Sequence, residues 1–414
     1  MFTKVATQSL LNRKGSVMLS LMAMTVSIFV LLGVEHIRQQ TKENFSNTVS
    51  GVDLIVGART GSLNLLLYSV FRIGSPTNNI RWETYEDIAS NNKVKWAIPI
   101  SLGDSHKGYR VLGTSTDYFK YFSYGKQHQL IFANGRAFDQ AFDLVLGAEV
   151  AKKLGYKLGD RVVLAHGIAT TSFSMHDDRP FTVTGVLEPT GTAVDQTLHV
   201  SLQGIEAIHI DWQQGVKTHT SILTQKALEQ ANLQPKSITA LMLGLKSKMA
   251  TFQLQRTINQ YAKEPVAAIL PGVALSELWQ MMSILENTLL LVSALVFIAA
   301  CLGVSAMLVA SIRDRSREIQ LLRVIGAPPY FLFLLIELEA LLITLLSCLM
   351  GAGLLTTCLV FSQDYLVSHF GLYIEANILT ENSLYLFTAI LSASAIVAVI
   401  PSINGYHQAK IIKN

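Results

Sequence analysis

The stretch Thr288 to Ile312, TLLLVSALVFIAACLGVSAMLVASI, holds 25 residues without one charged side chain. As a helix rising 1.5 Å per residue, it covers the roughly 30 Å hydrocarbon core of a bilayer. A lipid-exposed loop or open strand there would leave its backbone groups unpaired, so the stretch reads as a transmembrane helix. Three further runs read the same way. Val17 to Val34 is an uncharged run of 18 residues, and Ser383 to Ile403 is also uncharged. Another span begins near Tyr330 and runs to about Ser362, with Glu337 and Glu339 near its start. Of the 414 residues, 50% are hydrophobic and only 15% charged, against about 25% charged in an ordinary soluble protein, which argues against a soluble enzyme. The net charge of +4 is too small an excess to signal nucleic-acid binding.

A cleavable leader is the competing reading of the first run, because Lys4, Arg13 and Lys14 precede it. The run exceeds the roughly 7 to 15 residues of a leader core, and Gly33-Val34-Glu35-His36 lacks a small-x-small cleavage site, so it reads as an uncleaved anchor. Lys and Arg collect in Met1 to Ser16, in the link Arg313 to Pro329 with its four arginines, and in the tail through Lys410 and Lys413. The flank Gln363 to Asn382 has neither Lys nor Arg. Positive charge is retained on the cytoplasmic side, which places both termini and the arginine-rich link in the cytoplasm. The expected fold is an α-helical membrane protein with four transmembrane helices and a large α+β extracytoplasmic domain between the first two. The expected segments are an N-terminal piece and first span at 1–34, the outer domain at 35–286, and the second span at 287–312. There follow the cytoplasmic link at 313–329, the third span at 330–362, an outer loop at 363–382, the fourth span at 383–403 and a cytoplasmic tail at 404–414.

Short β-rich runs with turn signals fill the outer domain: Val52 to Val56, Trp96 to Pro99, Tyr109 to Leu112, Arg161 to Leu164, Phe181 to Leu187 and Leu198 to Ser201. Leu146 to Gly155 predicts a helix that stops at a glycine suited to the position just past a helix end. Lys226 to Gln234 and Thr251 to Ala262 look helical around the strand-like Ala240 to Leu245, which suggests two subdomains, one interleaved into the other. Leu275 to Glu286 is expected to prolong the second span outward as a stalk, and Glu35 to Ser46 to do so for the first. Cys301, Cys348 and Cys358 all lie in apolar runs and build neither a disulfide framework nor a thiolate metal site. His199, His209 and His219 recur every ten residues, which is not a ligand spacing. His176-Asp177-Asp178 reads as a solvated loop, and no nucleotide-binding glycine loop ending in Lys-Ser/Thr is present. No catalytic, metal or cofactor site is expected, so any ATP-driven role requires a partner.

Two features within the spans are candidates for packing. Ala299, Gly303, Ala306 and Ala310 put four small residues on one helical face, where backbones can approach, either within one subunit or across a dimer. Glu339 is expected to face protein or a polar contact, since an ionised carboxylate at mid-span costs roughly 2.5 to 3.5 kcal/mol. Interfacial anchoring is the alternative for it.

The link between the second and third spans carries the most specific pattern. Read as a helix, it gathers Ile319, Leu322 and Ile325 on one side and the arginines largely on the other, ending at Gly326 before Pro328 and Pro329. An amphipathic helix held at the membrane surface suits docking of a cytoplasmic protein, although a plain positive-inside hairpin would also account for the arginines. The pattern Arg317-Glu318-Ile319, Arg323, Gly326-Ala327 resembles the coupling helix of the FtsX-like permease family, which includes the MacB exporters and the LolCDE lipoprotein-release permeases. Val145 to Gly155 with Gly159-Asp160, and Phe181 to Leu187, resemble the MacB-like periplasmic core domain of that family.

The resemblance implies the permease subunit of an ABC transporter of the mechanotransmission type, in the bacterial inner membrane, without an ATPase site of its own. A separate cytoplasmic ATPase would carry ATP and Mg. A second permease copy or a paralogue would complete a dimer, and a periplasmic or outer-membrane protein would be a further partner. Carried over by position, Arg317, Glu318, Ile319, Leu322 and Arg323 would touch the ATPase, with Gly326 ending the helix. The substrate implied is a lipoprotein, a lipid-like molecule or a peptide. Relay of ATP hydrolysis to a periplasmic enzyme is the alternative within the family, and a membrane-anchored periplasmic enzyme is one outside it.

Overall fold

The computed structural model describes residues 14–48, 50–125, 127–166, 179–209, 212–213, 216–217, 233–314, 328–370 and 374–411. They fall into two compact units. One contains Met1–Thr41, Met282–Asp364 and Ile374–Asn414; the other contains Lys42–Met281 and Tyr365–Tyr373.

Four long helices, Lys14–Thr48, Pro271–Asp314, Pro329–Phe370 and Glu381–Ile411, correspond to the four apolar runs. Each includes a stretch long and apolar enough to cross a membrane. All four outrun the apolar stretches that revealed them. A charged or polar residue ends solubility in lipid, whereas ending a helix takes a proline, a glycine or an unfavourable cap. Leu275 to Glu286 accordingly belongs to the same uninterrupted helix as the second span, which opens at Pro271, where a proline costs no hydrogen bond. In the same way Glu35 to Ser46 continues the first helix. The stretch assigned to an outer loop from 363 is helical as far as Phe370.

The inserted domain is organised by one mixed sheet of 11 strands. In chain order these are β1 (Leu54–Ala58), β2 (Val94–His106), β3 (Tyr109–Thr114), β4 (Phe132–Gly135), β5 (Asp143–Leu146) and β6 (Arg161–Val162), then β7 (Ala165–His166), β8 (Phe181–Leu187), β9 (Thr197–Ser201), β10 (Ala240–Leu245) and β11 (Val266–Ile269). Across the sheet the order is β11-β1-β10-β2-β3-β9-β5-β8-β4, with β7 on β2 and β6 on β8. The two expected subdomains therefore share a single sheet. Phe181 to Leu187 and Ala240 to Leu245 have the boundaries read from their residues; β2 is far longer than the four residues expected, because polar Ser101, Asp104 and Ser105 continue the pairing. The helical stretch expected at Lys226 to Gln234 lies, up to residue 232, outside the described residues.

Burial explains which strands look alternating and which look continuous. In β8, Phe181, Val183, Gly185 and Leu187 are buried while the residues between them are half-buried, the period of a strand with one wetter face. Every residue of β1 and β10 is buried, because both faces of this part of the sheet are covered. Ile55, Ile98, Ile100 and Met242 enter one core cluster, and their neighbours Leu54, Val56, Leu241 and Leu243 enter the other. Each such side chain contributes about 1.5 to 3 kcal/mol of transfer free energy.

The chain enters and leaves this domain against the first of these cores. Phe45, near the end of the first long helix, sits 4.5 Å from the Phe71 ring and 5.8 Å from Trp279, centroid to centroid. Ala274 and Leu275 are buried in the same cluster, and Ser62 donates a hydrogen bond to Glu277. Gly51 to Gly61, glycine-rich and without an assigned role in the sequence, is thus a structural segment: it holds β1, paired on both sides between β11 and β10, and a Cβ on Gly57 would lie 2.7 Å from Leu65 Cδ1 and 3.0 Å from the Tyr68 hydroxyl.

Candidate functional site

Arg317, Glu318, Ile319, Leu322, Arg323 and Gly326, the residues expected to form a coupling helix, lie outside the described residues. Helices that end at Asp314 and begin at Pro329 flank them. His176-Asp177-Asp178 likewise lies outside.

The second span has two distinct faces. Ser293, Phe297, Cys301, Val304, Leu308 and Ile312 recur at helical spacing and are buried among the other spans. Ala299, Gly303, Ala306 and Ala310 are all exposed in the single chain, on the opposite side. A Cβ built on Gly303 would meet nothing within 4 Å. Among the described residues, these four positions are thus left open and lie outside the interior of the bundle.

Glu339 is only 3% exposed, inside the bundle of spans, and the neighbouring interior positions of its helix are Ile336, Ala340, Ile343, Thr344 and Ser347. Polar contacts tie this face to other spans. The Thr344 hydroxyl lies 2.6 Å from that of Ser394 and donates to the Ala340 carbonyl at 3.0 Å. Ser347 donates to the Leu21 carbonyl at 3.4 Å. In lipid, where a stray hydroxyl has no water, such pairs are each worth about 0.6 to 2 kcal/mol. The sequence reading passed over these residues; isolated Ser and Thr within long apolar runs are the signal that marks them.

At the end of the spans away from Asp314 and Pro329, a second polar group joins the helices. His36, 6% exposed, lies with Nε2 2.7 Å from the Glu375 carbonyl oxygen. Arg38 donates from Nε and Nη2 to the two Glu35 carboxylate oxygens at 3.0 and 2.7 Å, and its Nη1 stands 3.7 Å from Glu286 on the second long helix. The first and second long helices are thereby paired by charge just beyond their apolar stretches. Glu35, His36 and Arg38 directly after an uncharged run were the legible sign of this cluster, and it too was missed.

In the inserted domain two of the described histidines have partners within the fold. His199 is fully buried on β9, its ring 5.4 Å from Tyr118 and 5.9 Å from Phe119. Burial, and secondarily the nearby Arg72 charge, depress its pKa to about 3, so it is neutral at ordinary pH. His209 pairs with buried Asp104 at 3.4 Å. The motif Leu146-Gly147-Ala148 turns β5 into the helix Ala148–Leu154, which ends at Gly155 with φ 69°, the left-handed conformation open to glycine.

Comparison with known proteins agrees with this architecture. The MacB-like periplasmic core domain family matches residues 17–261, and the FtsX-like permease C-terminal family matches residues 290–409. Among solved structures, the periplasmic region of MacB from Actinobacillus actinomycetemcomitans matches at 10% identity, over 57% of this chain and 95% of that one, with a TM-score of 0.35. The extracellular domain of the noncanonic ABC-type transporter YknZ from Gram-positive bacteria matches at 12% identity, over 53% of this chain and 98% of that one, with a TM-score of 0.31. No curated protein matches. With one family spanning the inserted domain and the other the last three spans with their link, the chain belongs to the FtsX/MacB-like family of ABC transporter permeases.

Proposed function

We propose that this permease subunit converts ATP hydrolysis on a separate cytoplasmic ATPase into movement of its periplasmic domain, and thereby exports or extracts a lipoprotein, a lipid-like molecule or a peptide. The observation that carries this reading is the single helix Pro271–Asp314, which contains the second span, reaches the periplasmic core at Ala274 and Leu275, and leads directly into the link at its cytoplasmic end. A helix without a break transmits displacement along its axis. The link Arg313 to Pro329 is the docking element in this reading: Ile319 and Leu322 enter a groove on the ATPase, and Arg317, Glu318 and Arg323 set the register by charge-assisted hydrogen bonds. Gly326 ends the helix. Two permeases meet along Ala299, Gly303, Ala306 and Ala310, since that face is open in the single chain. Both termini are cytoplasmic, on the distribution of Lys and Arg.

Burying a leucine in a groove contributes about 1.5 to 3 kcal/mol, and a carboxylate in its place adds a desolvation cost. Leu322→Asp is therefore expected to weaken ATPase binding by about tenfold or more while leaving insertion intact. Pull-down of the ATPase from membranes is the measurement; wild-type yield from correctly inserted Leu322→Asp permease would overturn the docking assignment.

A further inference from the structure

Sheet topology creates a site in the periplasmic domain that the permease reading does not use. Strands β3 and β9 run parallel, with Ser201 opposite Thr114, so their carboxyl ends open at the same place. Open sheets with parallel strands commonly bind ligands there, outside the strand ends. A cleft of about 770 Å³ lies at this position, within the range of roughly 300 to 1,000 Å³ for small-molecule sites. Thr114, Ser115, Thr116, Ser201 and Gln203 line it, together with the aromatic Trp82 and Tyr85 and the segment Phe138 to Ala141.

Part of the lining is held in place by its own hydrogen bonds. The Thr114 hydroxyl donates to the Pro99 carbonyl at 2.8 Å, and that of Ser201 donates to the Ala141 carbonyl at 2.8 Å while accepting from the Gly204 amide at 2.9 Å. Thr116 and Gln203, by contrast, are exposed, so their polar groups are open to a ligand in the cleft. The Trp82 indole is fixed by its own bond to Glu86, 2.8 Å from Nε1 to Oε1, and its ring lies 4.5 Å from that of Tyr85. Burial, then the charges of Asp117 and Glu86, hold the Tyr85 phenol above its ordinary pKa, so it is a neutral hydroxyl.

The chemistry of the lining narrows the ligand. Among the described lining residues there is no Lys, Arg or His, and Asp139 is the one carboxylate, so phosphate and carboxylate ligands have no counter-charge. Glutamines and hydroxyls both donate and accept, which suits a ligand that does the same. An extended peptide binds a sheet by adding to a free edge, and β3 and β9 are interior strands with partners on both sides. We propose that this cleft binds a neutral oligosaccharide, its rings against the Trp82 and Tyr85 aromatic pair and its hydroxyl or acetamido groups on Thr116 and Gln203.

The test uses the full chain in lipid nanodiscs free of sugar-headed detergent, read by saturation-transfer difference NMR. The probes are triacetylchitotriose and maltotriose, with trigalacturonate and a neutral tetrapeptide as counter-probes. At least one neutral trisaccharide is expected to bind in the range of about 0.1 to 1 mM, with trigalacturonate about tenfold weaker and the tetrapeptide failing to displace it. Gln203→Ala, which removes an exposed polar group from the lining, is expected to weaken binding about fivefold or more, and so is Trp82→Ala. Because Trp82 also packs on the core, the Gln203→Ala result decides, with unchanged amide protection in β9 as the check on folding. Binding of neither trisaccharide at about 5 mM, equal affinity for trigalacturonate, displacement by the tetrapeptide, or wild-type affinity in folded Gln203→Ala would each overturn the proposal. None of these readouts involves the ATPase, so failure here is distinct from failure of the transport reading.

Discussion

His199 shows how one buried titratable side chain sets a pH limit on the periplasmic domain. Its pKa is about 3 in the fold and near 6.5 in an unfolded chain, so the folded state binds fewer protons at any pH between these values. Stability is full above pH 6.5 and is lost as pH falls, at about 1.4 kcal/mol per pH unit until pH 3. His199→Phe keeps an aromatic ring beside Tyr118 and removes the proton site. Hydrogen exchange of the β9 amides in wild type and variant, at pH 7.5 and 4.5, measures the effect; about 2 to 3 kcal/mol less acid sensitivity is expected in the variant. Equal acid sensitivity in both would remove His199 as the cause. Gly147 is a residue of another kind, required for space: a Cβ there would stand 2.2 Å from the Val194 carbonyl oxygen, a backbone atom that cannot swing away. Gly147→Ala is expected to destabilise the domain by about 1 to 3 kcal/mol, seen as a lower unfolding midpoint in denaturant. An unchanged midpoint would mean that the turn before the helix Ala148–Leu154 can relax. Gly147 was legible as part of a motif, yet nothing in the residues themselves shows that Val194, 47 positions on, crowds it.

Among the elements, the second span best separates what sequence can and cannot resolve. Small residues at spacings of 4, 3 and 4 identify a close-packing face, but the same spacing serves packing inside a subunit and between subunits. Only the position of Ser293, Phe297, Cys301 and Leu308 against the other spans shows that the small face is the one left open. Cysteine at Gly303 is therefore expected to crosslink between permease copies in membranes. A lack of any intersubunit product, with control positions reacting, would assign that face to lipid. The third span teaches the converse. Glu339 could be read as interior or as an interfacial anchor, and its near-complete burial sets it among protein groups. Glu339→Gln keeps shape and removes the ionisable group, and we expect it to lower ATPase stimulation in the assembled complex several-fold with assembly unchanged. Wild-type stimulation would leave Glu339 with a packing role alone. Strand order, by contrast, could not be read at all. Leu54 pairs with Leu243, and Ile55 with Ile269 as well as Met242, and pairings this distant leave no local signature in residues whose neighbours are uniformly apolar.

For the molecule as a whole, the decisive property is continuity along Pro271–Asp314, whose polar and apolar halves look like different elements when read by hydropathy. If this helix carries motion toward the periplasmic domain, its integrity between Met281 and Asn287 matters more than any side chain there. A proline in a helix interior removes one backbone hydrogen bond and clashes with the preceding turn, at a cost of about 3 kcal/mol and with a kink. Ile284 is a suitable position because its side chain is 75% exposed, so replacing it disturbs little besides the backbone. In the assembled complex, hydrogen exchange of the periplasmic domain with and without ATP and vanadate reads the transmitted change. Ile284→Ala is expected to retain the nucleotide-dependent difference, and Ile284→Pro to lose most of it while still binding the ATPase, whose proposed docking site lies beyond the other end of the helix. Full retention in Ile284→Pro would show that the signal travels by another route, through the Lys14–Thr48 helix and its Arg38 pairing to Glu286 or through the third and fourth spans.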